Sequence, residues 1–485
     1  MSRLAICTLL LSIFFVGSSR LFAQGYRGHD FWVCFPQNAV EEDGKVLSQS
    51  LYIAAESNAK GQIVNSMDGS EQPFSVGAGA STSVDVDTLL QITSSGCKSP
   101  LKGLLQVGKQ SLHITSDHDI TLYVVSHRPS STDSYAAIPM QMLGEGYMAA
   151  GYAPLQSGSV AFTSQADMIA TEDNTLVTVH LSAATKDSMP AGRTVMLVLN
   201  RGETVQFQSA PSVGTPSVGA PSVGAPSVGA PSDTEKDRLD LTGSTISASK
   251  PIAFFTGHTC AQIPSDIYYC DMLVEMEPPM DDWGTSFIVP KFAEKDCSVV
   301  RIIAGQDSTD VILDGVRIAQ LSKGGFCEVD TLHHDAIIQT SKPALVAQYA
   351  TSSQADVQKV GDPFLLFVIP NNRFIPEVTT VSVVEGGFSH YLNVVVPDSG
   401  LATLNIDGAF AASGKLANGS SVISKRIAPR AGSPAHYSIV TLKVLPGRHL
   451  VRCSAPIAVY SYGFGLYTNA FDSYGHACGQ RLDAQ

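Results

Sequence analysis

Histidine, cysteine and aspartate lie close together in one stretch of the sequence, where Gly257–Cys260 (GHTC) is followed by Cys270 and Asp271. These residue types bind Zn²⁺, but a zinc site needs Cys or His pairs two to four residues apart and a second such pair elsewhere. The spacing here is poor and the second pair is missing, so we expect a disulfide-closed loop. The run 333–335 (HHD) also offers metal ligands, but adjacent strand residues point to opposite faces, and a solvated turn explains it better.

Ser131, Thr132 and Asp133, together with His127, include the residue types of a hydrolytic site. The sequence lacks the Gly-x-Ser-x-Gly turn that exposes a nucleophilic serine between a strand and a helix. A glycoside hydrolase needs two carboxylates across a cleft, for which Asp133 and Glu275 are one example, but the linear sequence does not show such a pair. The acidic runs do not complete a Ca²⁺-binding loop. We therefore predict no catalytic residue, no metal and no cofactor.

The chain has nine cysteines, of which Cys7 falls in the N-terminal apolar segment. An even number of remaining cysteines in an exported chain favours disulfides. The alternative is that several of them stay as buried free thiols. From their spacing we predict four local pairs, Cys34–Cys97, Cys260–Cys270, Cys297–Cys327 and Cys453–Cys478.

The densest aromatic stretch lies near the C-terminus, where glycines separate the aromatic residues. Aromatic surfaces of this kind contact sugars or protein partners, whereas aromatic residues of a terminal strand also form ordinary core. Both interpretations stay open from the sequence. The candidate binding face consists of Tyr460, Tyr462, Phe464, Tyr467 and Tyr474.

The N-terminus predicts export. Arg3 precedes the apolar segment Leu4–Val16, and small residues with a cleavage position after Ala23 follow, which is the pattern of a signal peptide over 1–23. This segment is too short for a transmembrane helix, and no later stretch is long and apolar enough to be one. The formal net charge of −13 repels nucleic acid, which we exclude as a partner. We expect a secreted or cell-surface protein.

Alternation of Val, Ile, Thr and aromatic residues with period two dominates the chain and predicts an all-β protein. One pattern occurs four times: an apolar strand, a tight polar turn that usually contains Ser-x-Pro, and a second strand. We interpret each copy as a hairpin with a proline in its turn. The copies are Leu112–Val125, Ile246–Phe255, Ile337–Tyr349 and Leu450–Tyr460.

These copies divide the chain into four tandem repeat-like β units, at 26–145, 146–280, 281–360 and 361–482. Roughly six or seven strands in the compact third unit suit a small β-sandwich. We expect sandwich-like units packed together, with a propeller-like ring of β units as the alternative. A low-complexity Pro-Ser-Val-Gly-Ala repeat at 211–232 interrupts the second unit, and its lack of charge and of apolar bulk predicts a disordered insertion.

Several longer motifs occur in a fixed order along the chain and resemble those of the N-terminal domain of the IgG Fc-binding protein family, from about residue 28 to 480. Among them are Gly28–Gln37 (GHDFWVCFPQ), Tyr123–Ser134 (YVVSHRPSSTDS), Ser249–Cys260 (SKPIAFFTGHTC), Cys270–Trp283 (CDMLVEMEPPMDDW) and Gly361–Pro370 (GDPFLLFVIP). For animal members the resemblance implies secretion, mucus association and binding to immunoglobulin Fc. No residue here carries over as an Fc contact.

Export, acidity, the repeated units and this resemblance support an extracellular binding or adhesion protein that is not an enzyme. Its ligand is expected to be a glycoprotein, a glycan or an immunoglobulin-type protein. One alternative is a structural extracellular-matrix protein that associates with copies of itself. A carbohydrate-active hydrolase is the other.

Overall fold

A computed structural model describes residues 25–39, 47–90, 106–211, 240–415, 422–427, 436–465 and 471–482 of the chain. The regular structure of these residues consists of β-strands and short 3-10 turns, with no α-helix among them. The all-β prediction is therefore confirmed. The predicted signal peptide lies outside the described residues, as does the 211–232 insertion except for Pro211.

The first two large sheets are antiparallel and contain seven strands each. The first consists of β1 (Arg27–Val33), β2 (Ser48–Ala55), β3 (Ala59–Asn65), β4 (Glu71–Val76), β5 (Ala80–Asp85), β6 (Leu112–Arg128) and β7 (Ser131–Ala136). A chain segment with β8 (Gly144–Met148) and a separate hairpin of β9 (Leu155–Ser157) and β10 (Val160–Phe162) follows. With β8, the second sheet contains β11 (Ser164–Ala170), β12 (Thr175–His180), β13 (Thr194–Leu199), β14 (Thr204–Gln208), β15 (Thr245–Gln262) and β16 (Cys270–Met276).

The other two sheets follow in the second half of the chain. The third consists of β17 (Gly284–Val289), β18 (Ser298–Ala304), β19 (Thr309–Leu313), β20 (Val316–Leu321), β21 (Phe326–Leu332), β22 (Ala336–Ala350) and β23 (Leu365–Phe367). The fourth consists of β24 (Ile375–Ser382), β25 (Phe388–Pro397), β26 (Asn405–Ile406), β27 (Ala409–Phe410), β28 (Val422–Ile427), β29 (Tyr437–Val444), β30 (Gly447–Gly465) and β31 (Ser473–Ala477). The 3-10 turns are Met140–Met142, Met280–Asp282, Ser353–Ala355, Asn371–Arg373, Leu401–Thr403 and Ala411–Ser413.

One strand order recurs in all four sheets. It reads β4-β3-β6-β2-β5, β13-β12-β15-β11-β14 and β20-β19-β22-β18-β21, and the fourth sheet extends it as β27-β26-β30-β25-β29-β28. In each sheet the long strand also pairs with the first and the last strand of its own unit. The sequence repeat therefore corresponds to four copies of one β unit.

The repeated sequence pattern forms one continuous strand in each unit, so the hairpin interpretation is wrong. Its turn-like residues lie in the middle of β6, β15, β22 and β30. In β15 the pairing with β8 shifts register between Ser247 and Ile252, and Pro251 lies within that shift. Proline is tolerated at such a bulge because the irregular ladder does not need its missing N–H. The long strand bends there without reversing, and its two halves pair with different neighbours, β12 and β11.

Two Asp-Gly pairs form tight hairpin turns. Asp314 and Gly315 connect β19 to β20, and Asp407 and Gly408 connect β26 to β27. Both residues of each pair have positive φ, 52° and 84° in the first turn. Such a turn matches the right-handed twist of the two strands, which explains why Asp-Gly favours hairpins.

The last strand of every unit lies at the centre of the molecule. β7 contacts β16 and β31, and β23 contacts the same two strands, so the four inner strands close a ring around one axis. Each unit thus contributes one blade to a ring, and the prediction of four tandem β units packed together is confirmed.

One strand lies in a different unit from the one predicted, and a second begins two residues before a predicted boundary. β23 pairs with β22, with Phe367 opposite Ala347. It therefore belongs to the third sheet, whereas the predicted boundary at 360 placed it in the fourth unit. Gly144 already starts β8, which pairs with β15 of the second sheet. A short apolar strand next to a proline gives no signal of which long strand it will pair with.

Candidate functional site

Loops of all four units meet at one end of the ring axis. Ile263, in the connection from β15 to β16, exchanges hydrogen bonds with Ser352, which follows β22. Thr132 at the start of β7 donates a hydrogen bond to Asp472 before β31, at 2.9 Å. We call the exposed surface of these connections, residues 129–130, 263–269, 351–364 and 471–472, the axial loop face.

Directly beneath this face the ring axis is acidic. Four aspartates lie here, one from each unit, and all are buried: Asp133 in β7, Asp271 in β16, Asp362 before β23 and Asp472 before β31. Burial raises the pKa of Asp271, and the neighbouring carboxylates of Asp472, Asp362 and Asp133 raise it further. Burial likewise raises the pKa of Asp362 to about 6, against hydrogen bonds from Ser353 that favour the ionised form.

Asp133 links the four units to one another. One carboxylate oxygen accepts hydrogen bonds from the N–H groups of Val274 in the second unit (3.0 Å) and Leu365 in the third (3.4 Å). The other accepts from Gly475 in the fourth unit (3.3 Å) and from Ser134 in its own (2.8 Å). All four partners are donors, so this carboxyl supplies acceptors that the ring needs where its inner strands meet.

The hydrolase and metal interpretations find no support in the described part of the chain. Asp133 and Glu275 are both buried and do not face each other across an open cleft. Glu275 accepts a hydrogen bond from the N–H of Ala477, and burial raises its pKa. His127 contacts Thr132 at 2.6 Å, but the Thr132 hydroxyl is buried against Asp472. No group of His, Cys, Asp or Glu side chains among the described residues has the geometry to hold a metal ion.

Three large aromatic side chains are exposed on the axial loop face. Tyr268 is 62% exposed, Tyr269 46% and Phe471 41%. The rings of Tyr269 and Phe471 stack, with centroids 5.1 Å apart and planes inclined by 27°. The pair joins a loop of the second unit to one of the fourth. We call these three residues the aromatic patch.

A disulfide closes the loop that carries two of these residues. Cys260 at the end of β15 and Cys270 at the start of β16 are bonded, with 10 residues of sequence separation. The bond confirms one of the four predicted cysteine pairs. Because the bond clamps both ends of the loop, it restricts where Tyr268 and Tyr269 can lie.

The remaining predicted pairings are not formed among the described residues. Cys327 lies opposite Ile302 of β18, well along the strand from Cys297, and the N–H of Cys478 bonds to Val459, far from Cys453. Both separations exceed the reach of a disulfide. Cys97, the predicted partner of Cys34, lies outside the described residues. The buried free thiols are Cys34, Cys297, Cys327, Cys453 and Cys478.

The candidate aromatic face of the sequence analysis is mostly core. Tyr460, Tyr462, Phe464 and Tyr474 have no exposed surface. They lie on β30 and β31, where Phe364, Phe292 and Tyr462 pack between the third and fourth units. Tyr467 lies outside the described residues.

Tyr268 and Tyr269 were not predicted as binding residues from the sequence. The available signal was two adjacent aromatic residues in a short turn-rich segment between two cysteines. A disulfide-closed loop is too short to have a core of its own, so aromatic residues at its tip are expected to be exposed.

A ring of four repeated β units that presents loops and exposed aromatic residues at one end is typical of a binding protein. The chain belongs to the IgGFc binding protein family, whose sequence profile matches residues 133–463. It is also similar to the human (Homo sapiens) protein named IgGFc-binding protein, with 20% identity over 386 residues. That match covers 78% of this chain and 6% of the human protein, so the chain corresponds to a small part of it. In the described residues no helix is long and apolar enough to cross a membrane.

Proposed function

We propose that this chain is an extracellular binding protein that is not an enzyme and that uses its axial loop face to hold a glycoprotein, glycan or immunoglobulin-type ligand. The observation that carries the proposal is the stacked pair Tyr269 and Phe471, exposed on loops of two different units. Membership of a family of binding proteins supports the general class.

The aromatic patch has the properties of a binding surface. Large aromatic side chains lose little conformational entropy on binding and supply much of the contact energy of protein interfaces, and their faces also stack on sugar rings. The patch lies on a scaffold that is already rigid, because the disulfide fixes the loop and Asp133 links the inner strands beneath it. A preorganised surface loses less entropy when the ligand binds.

We include immunoglobulin among the proposed ligands because of the name of the human relative. Since this chain covers only 6% of that protein, the Fc ligand is a proposal for it and not an inherited property. Self-association as a matrix component is the second candidate function, because the same exposed aromatic residues also suit a contact between two copies.

The test is to apply the purified chain to a glycan array and to immobilised immunoglobulin Fc, beside a variant with Tyr268→Ser, Tyr269→Ser and Phe471→Ser. A matched control removes three apolar side chains from outer strands that are about as exposed as Tyr268 and more exposed than the other two, Met196→Ser, Val198→Ser and Val316→Ser. We expect a ligand that the wild type and the control bind and that the patch variant loses at least tenfold in affinity. Absence of binding to both ligand classes by a folded chain contradicts the proposal. Concentration-dependent association in light scattering, lost in the patch variant, then favours the matrix function.

A further inference from the structure

The four units differ in how well their outermost strands are protected against pairing with another strand. The equivalent edge strands are β4, β13, β20 and β27, each of which ends the same path through its sheet. A free edge presents backbone N–H and C=O groups that can pair with a further strand. Proteins usually block such an edge with a charge, a proline, a bulge or a very short strand, so the four edges can be compared on these features.

Three of the four edges are blocked in one of these ways. β4 contains Glu71 and Pro73. β20 contains Arg317, which donates to Asp310 of the neighbouring strand at 2.8 Å, and its pairing with β19 shifts register. β27 is only two residues long. In contrast, β13 (Thr194–Leu199, TVMLVL) has no charge and no proline, and it pairs with β12 in an unbroken register.

One backbone side of β13 is open in the described part of the chain, where the strand pairs with β12 alone. Just before the strand, the carbonyl of Arg193 accepts a hydrogen bond from the N–H of Leu181 at the end of β12, at 3.0 Å. Hydrogen bonds alternate along an antiparallel strand. Every second residue after Arg193 therefore bonds to β12, and the N–H and C=O groups of Met196 and Val198 point outward.

β13 also exposes apolar side chains on the outer face of its sheet. Met196 is 63% exposed and Val198 60%. Leu176 of β12 lies opposite Val198 and is exposed too, so the three side chains form one patch beside the open strand. We call β13 together with this patch the β13 edge. Exposed apolar side chains next to free backbone groups indicate a surface for association with another strand.

The start of β13 carries one unbalanced positive charge. Arg193 immediately precedes the strand, is exposed and forms no ion pair in the described part of the chain. The other charged residues of the connection from β12 are Lys186 and Asp187, which offset each other in formal charge. The surface at this end of the strand is therefore locally basic.

The end of β13 carries one unbalanced negative charge. Glu172 pairs with Lys250 at 3.5 Å. Asp173 and Glu203 then outweigh Arg201, whose guanidinium lies over a tryptophan ring of the first unit. Both carboxylates accept backbone N–H groups, and neither forms an ion pair within the residues that the structure describes. The two ends of the strand are thus opposite in charge.

We propose that the β13 edge pairs with the β13 edge of a second copy of this chain, antiparallel and about a two-fold axis, so that two sheets join into one. Each copy uses the same surface in such a pair. The exposed Met196 and Val198 side chains of the two copies then lie side by side. The start of one β13 lies beside the end of the other, which brings Arg193 close to Asp173 and Glu203 of the second copy. A second copy is the occupant because the apolar side chains and the charges of β13 both match their own reversed copy.

Sedimentation velocity of the purified chain at increasing concentration tests the proposal. We expect a reversible equilibrium between monomer and dimer without larger species, because a two-fold pair closes on itself. Val198→Pro removes an outward N–H, and an edge strand tolerates proline in that orientation. We expect this variant to weaken the dimer at least tenfold. The matched control Val198→Thr keeps the N–H and the branched shape, and it should dimerise nearly as well as the wild type.

Two further variants change only exposed side chains, so the test does not depend on how the fold accepts a proline. Met196→Lys/Val198→Lys places like charges on the facing strands of both copies, and Arg193→Glu reverses the charge at the start of the strand. Each is expected to weaken the dimer at least tenfold. A wild type that stays monomeric at every concentration overturns the proposal, as does wild-type dimerisation of the double-lysine variant.

The variant of the aromatic patch separates this inference from the proposal for the axial loop face. We expect it to dimerise like the wild type, and the double-lysine variant to keep its affinity for the ligand of the axial loop face. A dimer that is lost in the patch variant and kept in the double-lysine variant assigns self-association to the aromatic patch and overturns pairing at the β13 edge. Failure of one proposal is therefore distinguishable from failure of the other.

Discussion

The carboxylate of Asp133 in the first unit accepts a hydrogen bond from the backbone N–H of Val274 in the second, at 3.0 Å. The same side chain also holds N–H groups of the third and fourth units, and it is completely buried. One carboxyl therefore contacts every blade of the ring, which makes it a sensitive point for the stability of the whole assembly.

Replacing Asp133 with Ala should destabilise the fold strongly. The change leaves backbone N–H groups of three other units buried without acceptors, and each such group costs about 1–3 kcal/mol. We expect a loss of about 3–5 kcal/mol in the free energy of unfolding, measured by urea denaturation followed by tryptophan fluorescence. Asp281→Ala, at an exposed position of a linker turn, should change it by less than about 0.5 kcal/mol. A loss below about 1 kcal/mol for Asp133→Ala contradicts the bridging role.

Arg301 links the second and third units through a buried ion pair. Its guanidinium lies 3.0 Å from Asp240 and also contacts Glu328, and the Tyr152 and Phe326 rings cover it. Arg301→Met leaves the Asp240 carboxylate buried without its cation, which typically costs about 3–5 kcal/mol. Thermal unfolding of Arg301→Met and of the double variant Arg301→Met/Asp240→Asn measures this. We expect the double variant to recover part of the loss, and equal stability of the two variants speaks against the pair.

Removing the disulfide should loosen the loop that carries the patch. The double variant Cys260→Ala/Cys270→Ala frees a loop of 10 residues separation, and chain entropy predicts a loss of about 3 kcal/mol. Peptide mapping without reduction provides the direct check, with one linked pair expected between Cys260 and Cys270. Finding Cys297 linked to Cys327, or Cys453 to Cys478, contradicts the structure.

Stability should fall as the pH rises through the weakly acidic range. Burial raises the pKa of Asp362 to about 6 in the folded chain, above about 3.9 for an unfolded aspartate. The folded state then binds more protons than the unfolded one between these two pKa values. The contribution of protonated Asp362 to the free energy of unfolding is therefore full below about pH 4 and is lost by about pH 6. Burial also raises the pKa values of Asp271 and Glu275, which changes the stability in the same direction.

The measurement is urea unfolding of the wild type and of Asp362→Asn at pH 4, 5, 6 and 7. Since two pKa units correspond to about 3 kcal/mol, the variant should gain up to that amount relative to the wild type between pH 4 and pH 7. Parallel pH profiles of the two proteins rule out a raised pKa at Asp362.

The sequence reveals the repeat but not the shape of its element. Four copies of an apolar run with Ser-x-Pro are visible, and a proline between two apolar stretches normally indicates a turn. In the structure Pro251 lies at a bulge of a strand that continues, because β8 and β11 pair with β15 on both sides of that position. Pairing with strands that are distant in sequence makes the repeat one continuous strand, and no local sequence pattern indicates this pairing.

The candidate site was predicted only in part for a similar reason. The Cys260–Cys270 bond followed from a short turn-rich loop, where closeness in sequence guarantees closeness in space. The Tyr269–Phe471 stack joins residues about 200 positions apart and depends on how the ring closes. Tyr462 and Tyr474 are core for the same reason: the ring buries both faces of β31 and of the C-terminal half of β30, which a lone terminal strand would leave half exposed.

Hydrogen–deuterium exchange of the chain, with and without a ligand found on the glycan array or on Fc, tests the central claim most directly. We expect ligand-dependent protection of peptides covering 263–271 and 471–473, and no change in the outer strands β13 and β20. Protection confined to the outer strands, with unchanged exchange around Tyr269 and Phe471, contradicts the claim that the chain binds its partner through the axial loop face.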